Sequence, residues 1–540
     1  MATTGDDDGG KMKNKNVLKL VAQQRADSKR KSKSEPPAQD DGRPIITVAA
    51  GMRPKVLDEA DAALGQNDQE IFDHMGRLVR LTKPGEIRPA RADAIQRQGD
   101  AILLREVIAA NLCDRLARVA RFRRWDARIG DYATCDVPKA VADGLLARSG
   151  EWRHIRPLRG FVEAPTLRDD GSILDVTGYD HASELYFAGK LPIGYERPKE
   201  TREDAKFAAE FIEDQLADLP FVDPADRAAL LAGILMALVR RVMPSAPLIG
   251  ITAPAPGTGK SMVADAISII ATGRRAAVLG LGKDDIEGDK RLAGALLAGD
   301  AVIAIDNVER PVFGDLICQA LTQPTIRIRA LGRSELLATP TNNVLIITAN
   351  NIDIRGDLRR RVMLVRLDAK TERPELRKFD RDFLSDVLAR RGEIIRAGLT
   401  IVRAYLADGK RVSIAPFGSF EHWSHWCREP LIWLDRPDPL EASTSLREQD
   451  PDLVAQRQLF AAWWQIFESR PVIAAEVIRA AETDSDLRGA LDTVCAERIA
   501  PRRLSTWLRR HRDRVLDAMR LESAEADSKT KIARWRLVRV

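Results

Sequence analysis

One segment constrains the fold of this 540-residue chain more than any other, the stretch 248–271. The apolar run LIGIT is followed by the glycine-rich TAPAPGTGKS and then by KSMVADAISIIA, which has the apolar spacing of a helix. A buried strand that passes through a glycine turn directly into a helix is typical of parallel α/β sheets. The alternation of strands and helices up to residue 367 extends the same pattern.

The turn has the composition of a loop that binds phosphate groups. Gly257 and Gly259 let backbone N–H groups converge at a helix N-terminus, whose dipole favours anions. Lys260 would place a cation on the β- and γ-phosphates of ATP, and the Ser261 hydroxyl would bind Mg²⁺. The usual first glycine of this pattern is Pro254 here. The predicted nucleotide contacts are Pro256, Gly257, Thr258, Gly259, Lys260, Ser261 and Met262.

A second chemical signal is the carboxylate that follows the apolar run AVIAI (301–305). Asp306 at the end of a buried parallel strand is suited to hold Mg²⁺ beside the phosphates. The next position, where a glutamate usually polarises the attacking water, is Asn307, and Glu309 lies two residues further on. The catalytic base therefore stays open, and Asn307 is kept as a candidate catalytic residue.

Two further polar groups adjoin strands of the same predicted sheet. VLIITANN ends in amides, and either Asn350 or its neighbour Asn351 is placed to contact the γ-phosphate or the attacking water. GDLRRRVMLVRL puts three arginines before a strand, and we expect Arg360 or Arg361 to reach a neighbouring subunit's γ-phosphate. The structural alternatives are a turn-forming asparagine pair and a solvated basic turn.

Basic residues in two places suggest contacts with DNA. TIRIRALGRSELLATPT predicts a hairpin with Arg327 and Arg329 on one face and Arg333 at its tip, where it would grip a phosphate backbone. An ordinary structural hairpin is the alternative.

The C-terminal segment 500–540 carries 12 Lys and Arg against 5 Asp and Glu, in a chain whose net charge is only +6. A helix over 501–519, a turn-rich stretch and the strand IARWRLV resemble a winged-helix end. Trp507 and Trp535 are interpreted as core residues rather than as base-stacking ones. The arginines expected to face phosphates are Arg502, Arg503, Arg509, Arg510 and Arg512.

Other sequence features exclude some classes of protein. The five cysteines include no CxxC pair, which argues against a zinc site or a disulfide framework. We therefore interpret His422, His425 and Cys427 as structural. The longest apolar run, 228–239, is too short to span a membrane, and the N-terminus has no apolar core of a signal peptide, so we expect a soluble cytoplasmic protein.

The predicted organisation has four parts. Residues 1–44 form a disordered basic arm, 45–200 an N-terminal α+β domain, 201–370 the nucleotide-binding α/β domain, and 371–540 a mainly helical C-terminal region. Within the N-terminal domain, IFDHMGRLVRL is expected to be one strand and 102–122 one helix. No catalytic cluster is visible there.

The order of GTGKS, IAIDN, the hairpin, TANN and GDLRRR resembles that of superfamily 3-like AAA+ helicases of mobile genetic elements, related to phage and poxvirus-type primase-helicases. APTLRDDGSILDVTGYD and FGSFEHWSHWCREPLIWLDRPDP resemble their flanking segments. The resemblance implies an AAA+ P-loop core, a parallel sheet flanked by helices. It also implies a hexameric ring that hydrolyses ATP with Mg²⁺ at subunit interfaces and translocates on single-stranded or forked DNA.

Carried over to this chain, the resemblance gives Lys260 and Ser261 the phosphate and Mg²⁺, Asp306 the Mg²⁺, and Asn350 the sensor contact. It gives Arg360 or Arg361 the neighbour's phosphate. Nothing in the N-terminal domain looks like a primase centre, so we expect either a separate primase or other replication partner, or no primase at all. The competing hypothesis is a non-processive AAA+ switch, an initiator, loader or defence sensor. A metabolic kinase does not explain the arginine trio.

Overall fold

The structure is a computed structural model that describes residues 41–82, 95–282, 284–329, 335–377, 381–448, 451–495, 498–525 and 532–540. The chain forms two compact units, each assembled from separate stretches. The first contains the chain up to Ile71 together with Val107–Arg156, and the second contains Phe72–Glu106 together with Pro157–Val540. Parts of the predicted N-terminal domain thus share a unit with the nucleotide-binding domain. Residues 1–40 of the predicted arm lie outside the described residues.

The chain up to Phe187 is built of short strands and a few helices. In chain order these are β1 (Ile45–Val48), α1 (Arg53–Asn67), β2 (Phe72–His74), β3 (Arg77–Thr82), β4 (Leu103–Glu106), α2 (Ala109–Val119), β5 (Arg121–Asp126), β6 (Asp131–Cys135), α3 (Lys139–Ala147), β7 (Gly160–Val162), β8 (Thr166–Leu167), β9 (Ile173–Leu174), β10 (Gly178–Asp180) and β11 (Leu185–Phe187).

The middle of the chain alternates strands and helices. Its elements are α4 (Arg202–Gln215), α5 (Pro224–Val239), β12 (Leu248–Ala253), α6 (Lys260–Thr272), β13 (Ala277–Leu279), α7 (Asp285–Ala298), β14 (Val302–Val308), α8 (Asp315–Thr322), β15 (Thr325–Arg329), β16 (Leu336–Pro340), β17 (Val344–Asn350) and β18 (Val362–Arg366). A 3₁₀ turn, Gly356–Arg361, precedes β18.

The rest of the chain is mainly helical. Its elements are α9 (Phe383–Ala389), α10 (Arg391–Asp408), α11 (Glu421–Trp423), α12 (Glu429–Trp433), α13 (Glu441–Glu448), α14 (Pro451–Phe467), β19 (Val472–Ile473), α15 (Ala474–Ala480), α16 (Ser485–Cys495), α17 (Pro501–Arg510), β20 (Val515–Leu516), β21 (Met519–Ala524) and β22 (Arg534–Arg539). A π-helical stretch, Ser424–Arg428, joins α11 to α12.

Five parallel strands form the central sheet, in the order β13-β14-β17-β12-β18. All five were predicted, and their near-continuous Val, Ile and Leu content fits strands that are buried on both faces. The order does not follow the chain, because β17 lies between β12 and β14. The carboxyl ends of these three strands therefore meet at one edge of the sheet.

The apolar segment predicted to be a buried helix is α5, which packs on this sheet. Asp223 caps it by accepting a hydrogen bond from Ala225 N at 2.9 Å, and Asp226 reaches back to Asp223 N at 3.2 Å. Arg366 on β18 donates to the fully buried Asp226 side chain at 3.0 Å. This ion pair fastens the helix N-terminus to the edge strand. No described helix has the length and apolar character needed to cross a bilayer.

Two predictions for the N-terminal domain were wrong. IFDHMGRLVRL is two strands, β2 and β3, because Met75 and Gly76 both have positive φ, 52° and 77°, and make a two-residue hairpin turn. The stretch 102–122 contains strand β4, helix α2 and the start of β5. Leu103–Glu106 pairs with β3 instead of extending the helix. Pairing with a strand from an earlier part of the chain thus overrides the helical spacing of this segment.

The predicted C-terminal helix is also shorter than expected. It ends at Arg510 rather than at Met519, and positive φ values at Asp513, Asp517 and Ala518 turn the chain into β20 and β21. The strands pair in the order β19-β22-β21-β20. They share a core with the helices that includes Leu504, Leu508 and the nearly fully buried Trp535.

Candidate nucleotide-binding site

The glycine-rich loop between β12 and α6 has the conformation that its sequence predicts. Gly257 and Gly259 have φ values of 75° and 101°, in the region that favours glycine. The Thr258 hydroxyl donates to the Ala255 carbonyl at 2.8 Å and closes the loop. Pro256 and Gly257 are exposed, and Met262 is half-buried on the first turn of α6.

A segment from beyond β18 lies against this loop. A Cβ added at Gly257 would come within 2.9 Å of the Glu375 Cβ and 3.0 Å of its backbone nitrogen. Glu375 belongs to a short 3₁₀ turn, Pro374–Leu376. The glycine is therefore required twice, by its φ value and by the close approach of this turn.

Lys260 is 7% exposed and its ammonium group is held by two oxygens. It donates to the Asn350 Oδ1 atom at 2.7 Å and to the Ala255 carbonyl at 3.2 Å. Burial lowers the pKa of Lys260, and the nearby Asp306 carboxylate opposes that shift. A phosphate group would supply a stronger counter-charge than the neutral amide that Lys260 contacts here.

The acidic side of the site is a chain of hydrogen bonds centred on Asp306. Ser261 Oγ donates to Asp306 Oδ1 at 2.7 Å, and the Thr348 hydroxyl donates to the same oxygen. Thr348 in turn accepts a hydrogen bond from Asn307 N at 2.9 Å. Thr348 lies two residues before Asn350 on β17 and did not emerge from the sequence, because its role depends on β17 lying beside β14.

The residue after the carboxylate has an unusual backbone. Asn307 has φ 50°, is exposed, and lies in an irregularity where the pairing of β14 with β17 shifts register. Glu309 is exposed two residues later. Asn351 also has a positive φ, 48°, and its N–H donates to the Ala253 carbonyl at 3.1 Å. Asn350 contacts Lys260, whereas Asn351 turns the chain away from the strand.

The predicted subunit-boundary arginines lie at the amino end of the sheet strands, whereas the glycine-rich loop lies at their carboxyl end. They precede β18, whose first residue, Val362, pairs with Leu248 at the start of β12. The loop follows the other end of β12, about 17 Å away at ~3.3 Å per strand residue. Both arginines are ion-paired with Asp357, and the side chain of Arg360 is 53% exposed against 12% for Arg361.

The predicted hairpin is present as β15 and β16, which pair antiparallel from Thr325–Pro340 to Arg329–Leu336. Arg327 and Arg329 are exposed and alternate with the buried Ile326 and Ile328. They therefore share the solvent face of the hairpin. Arg333 at the expected tip lies outside the described residues.

Two buried arginines that the sequence did not single out hold the base of this hairpin. Arg240 donates to the carbonyls of Thr341 and, at 3.1 Å, Asn343, and Arg241 donates to Asn342 Oδ1 at 2.6 Å. Burial lowers the pKa of Arg240 to about 9 and that of Arg241 to about 10. Their desolvation is offset by hydrogen bonds to several oxygens of one loop.

The C-terminal arginines line the surface of one helix and the turn after it. Arg502, Arg503, Arg509 and Arg510 are exposed on α17, opposite the fully buried Leu504 and Leu508. Arg503 donates to the Cys495 carbonyl at 3.2 Å, and Arg512, beyond the helix, donates to Asp513 at 3.1 Å. The Trp507 ring stacks on His511 at 3.9 Å between centroids.

The histidine and cysteine cluster has structural contacts. His425 pairs with Glu429 at 2.9 Å, His422 stacks on Trp426 at 5.2 Å between ring centroids, and Cys427 is fully buried. Burial lowers the pKa of His422 and raises that of Cys427. Within the described residues, no group of three or more His, Cys, Asp or Glu side chains could hold a metal ion.

The fold is a mixed α/β fold whose parallel sheet is compatible with a P-loop core. No protein-family model and no curated protein matches the chain. Similar solved structures include the apo C-terminal region of NrS-1, with 11% identity and a TM-score of 0.36 over 79% of this chain and 98% of that one. The SCCmec type IV Cch active helicase has 12% identity and a TM-score of 0.32 over 87% of this chain and 97% of that one. The JCV helicase has 13% identity and a TM-score of 0.20 over 46% of this chain and 69% of that one. Likenesses this distant carry no argument about function.

Proposed function

We propose that this chain binds ATP with Mg²⁺ at the phosphate loop and hydrolyses it. We further propose that it acts as a DNA helicase or translocase in the replication of a mobile genetic element. The observation that carries the proposal is the meeting of Lys260, Ser261, Asp306 and Asn350 at one edge of the sheet. A cation donor, two hard oxygen ligands and an amide around a glycine-rich loop are what a nucleoside triphosphate and its metal require.

The contacts among these residues suit this chemistry. Ser261 Oγ and Asp306 Oδ1 are 2.7 Å apart and are the kind of oxygen that Mg²⁺ prefers. Bound Mg²⁺ would neutralise charge on the β- and γ-phosphates. Lys260 would exchange its bond to Asn350 for the phosphate, which frees the amide to contact the γ-phosphate or the attacking water. Asn307 or Glu309 would orient that water.

The position of Arg360 supports an oligomer. Arg360 precedes the amino end of β18 and the glycine-rich loop follows the carboxyl end of β12, and the two ends of β12 lie about 17 Å apart, so this arginine would act on the nucleotide of a neighbouring copy. Arg360, more exposed than Arg361, would leave Asp357 when that neighbour docks. We therefore propose a ring, hexameric by resemblance, with ATP hydrolysed at subunit interfaces.

DNA contacts are proposed for two basic surfaces. The exposed Arg327 and Arg329 face solvent on a hairpin whose base is hydrogen-bonded by Arg240 and Arg241. The four strands after residue 451 pair in the order β19-β22-β21-β20, which is compatible with a winged helix, in which α17 would present its arginines to duplex phosphates. A separate primase would complete the replication machinery.

The alternative proposal is a nucleotide-gated switch that turns over little ATP. Asn307, which stands where a catalytic glutamate is usual, is the observation that favours it. A switch would bind ATP at the same loop. The release of Asn350 from Lys260 and a change in the turn that contains Asp357 would then alter its contacts with DNA or a protein.

The deciding experiment measures ATP hydrolysis with and without single-stranded DNA. Wild type is compared with Lys260→Ala and with a matched control, Lys290→Ala, an exposed lysine on α7. A helicase or translocase predicts DNA-stimulated turnover that falls by about 100-fold or more in Lys260→Ala and is retained in Lys290→Ala. Tight ATP binding with negligible, DNA-independent turnover in wild type would refute the motor and leave the switch.

A further inference from the structure

We propose that the open face of the sheet formed by β1, β5 and β6 in the first unit binds single-stranded nucleic acid by stacking bases on Trp125 and Tyr132. The residues of this surface belong to the first unit, whereas the glycine-rich loop and the arginines discussed above belong to the second. The inference does not depend on the proposed ATPase.

The alternation of side chains along β5 defines two faces of this sheet. Phe122 is buried together with Ile46 of β1 on the face that packs against the helices of the unit. Arg123 and Trp125 alternate with Phe122 and lie on the other face. The register places Arg123 beside Thr47 and Thr134, and Trp125 directly beside Tyr132. The second face thus combines aromatic, basic and hydroxyl side chains.

The two aromatic side chains on this face are open to solvent. Trp125 is 56% exposed and Tyr132 is 41% exposed. Large rings at neighbouring positions of a solvent-facing sheet contribute little to the core, and such exposed apolar surface marks interaction sites. Their centroids are 5.4 Å apart with the rings nearly perpendicular, so each ring leaves part of its surface open to a planar ligand.

The ring surface is held in place before any ligand arrives. The Arg123 guanidinium carbon lies 5.0 Å from the Tyr132 ring centroid, and Arg123 Nε donates to Thr47 Oγ1 at 2.9 Å. Fixing the side chains in advance reduces the entropy lost on binding. The arrangement resembles neither a core cluster nor a surface of mobile charged side chains.

The charge of this strand favours a polyanion over an apolar or basic partner. β5 carries Arg121, Arg123 and Arg124, and its aspartate, Asp126, is at the turn end of the strand. Arg121 is paired with Asp41 at 2.7 Å, which leaves Arg123 as the arginine beside the rings. A ligand with flat rings and phosphates fits this combination. Duplex nucleic acid hides its base faces, so the matching ligand is single-stranded.

The experiment is photo-cross-linking of the full-length chain, without nucleotide, to labelled oligonucleotides containing 5-iodouracil. Adducts are mapped by mass spectrometry, and the yield on Trp125 is followed against oligonucleotide concentration. DNA and RNA oligonucleotides are separate arms. We expect adducts on Trp125 or Tyr132 that unlabelled single strands displace and duplex does not.

Variants then test the geometry, with the Trp125 adduct as the readout. Tyr132→Ala removes a ring, and half-saturation should move to about ten-fold higher oligonucleotide concentration. Arg123→Gln should shift it in the same direction. Tyr132→Phe keeps the ring and should resemble wild type, as should Arg118→Gln, which alters an exposed arginine on α2. Circular dichroism checks folding, and if Tyr132→Ala does not fold, Arg123→Gln carries the test.

The results that overturn the proposal are specific to this surface. They are adducts that map only elsewhere in the chain, equal competition by duplex, or a Trp125 titration that neither Tyr132→Ala nor Arg123→Gln alters. Any of these would leave the face to a protein partner. Repeating the titration with Lys260→Ala separates the two proposals, because stacking at Trp125 should persist when ATP hydrolysis is lost.

Discussion

Thr348 shows how a residue without a distinctive motif can determine the geometry of the site. Its hydroxyl donates to Asp306 and accepts from the Asn307 N–H, so it fixes both the carboxylate and the irregular backbone after it. Outer contacts of this kind orient metal ligands and are costly to remove. Its two partners lie on β14, 42 and 41 residues earlier in the chain.

We predict that Thr348→Val lowers the apparent affinity for Mg²⁺ in ATP hydrolysis by roughly ten-fold, because Asp306 loses a donor and the Asn307 N–H loses its acceptor. The measurement is the Mg²⁺ dependence of turnover at saturating ATP. Thr348→Ser, which keeps the hydroxyl, is the control and should behave as wild type. An unchanged Mg²⁺ dependence in the valine variant would show that the hydroxyl does not orient Asp306.

His74 on β2 makes the stability of the second unit depend on pH. It is 2% exposed, Nδ1 lies 2.7 Å from the Leu158 carbonyl, and burial lowers its pKa from 6.5 to about 4. The unfolded chain therefore binds a proton that the folded chain does not between these values. The stability is present above pH 6.5 and is lost as the pH falls toward 4.

We predict that acidification from pH 7 to pH 5 costs the wild-type second unit about 2 kcal/mol through His74. His74→Gln should show a smaller fall in the thermal unfolding midpoint over the same range, although it is less stable at pH 7. His181→Gln, which changes an exposed histidine, is the control. Equal falls in all three proteins would assign the pH dependence to other groups.

The hairpin β15–β16 has exposed arginines on its solvent face, and buried arginines from another segment anchor its base. Its solvent face carries Arg327 and Arg329, and its base is bound by the buried Arg240 and Arg241. The alternation of isoleucine and arginine made the hairpin predictable from local sequence. The anchoring was not predictable, because it joins the end of α5 to a loop about 100 residues later in the chain.

We predict that Arg327→Ala combined with Arg329→Ala reduces the ratio of DNA-stimulated to unstimulated ATP hydrolysis by about five-fold or more, since two phosphate contacts are lost. The DNA concentration for half-maximal stimulation should rise, and its dependence on salt should become weaker. Lys206→Ala, an exposed lysine on α4, is the charge control. A ratio equal to that of wild type would make the hairpin purely structural.

In one copy of the chain, the two halves of the proposed site, the glycine-rich loop and Arg360, lie at opposite ends of the sheet strands. The glycine-rich loop follows the carboxyl end of β12. Arg360 precedes the amino end of the neighbouring β18, which runs parallel to β12. In the proposed ring, these two ends of the sheet would meet between neighbouring copies. Asp357, whose pKa is lowered chiefly by its hydrogen bond from Arg360, holds that arginine within one copy, and a neighbour in the proposed ring would compete for it.

We predict that Lys260→Ala and Arg360→Ala are each nearly inactive alone and that mixing them restores part of the ATP hydrolysis. In the mixture, an intact phosphate loop of one variant can meet the intact arginine of the other. Arg355→Ala, which changes a 60% exposed arginine before the same turn, should remain active by itself. No recovery in mixed oligomers, despite exchange of subunits, would exclude a role for Arg360 in the neighbour's site.

The four-part division of the chain and the roles of the arginines stay predictions. The parallel sheet and the hairpin were confirmed, because they follow from local patterns: apolar runs, glycine turns and strict alternation. The errors at 75–76, 103–106 and 511–519 occurred where a turn or pairing with another strand overrides the helical or strand spacing of the segment itself.

The sequence by itself determined the glycine-rich loop, the strand that carries Asp306 and the basic hairpin, since each is encoded in a few adjacent residues. Only the tertiary structure decided that β17 lies between β12 and β14, which brings Asn350 to Lys260 and Thr348 to Asp306. It also decided that Arg360 lies at the amino end of the sheet strands, away from the glycine-rich loop, and that Trp125 and Tyr132 share an open face of another sheet. Strand order and packing set these neighbours, and local periodicity does not encode them.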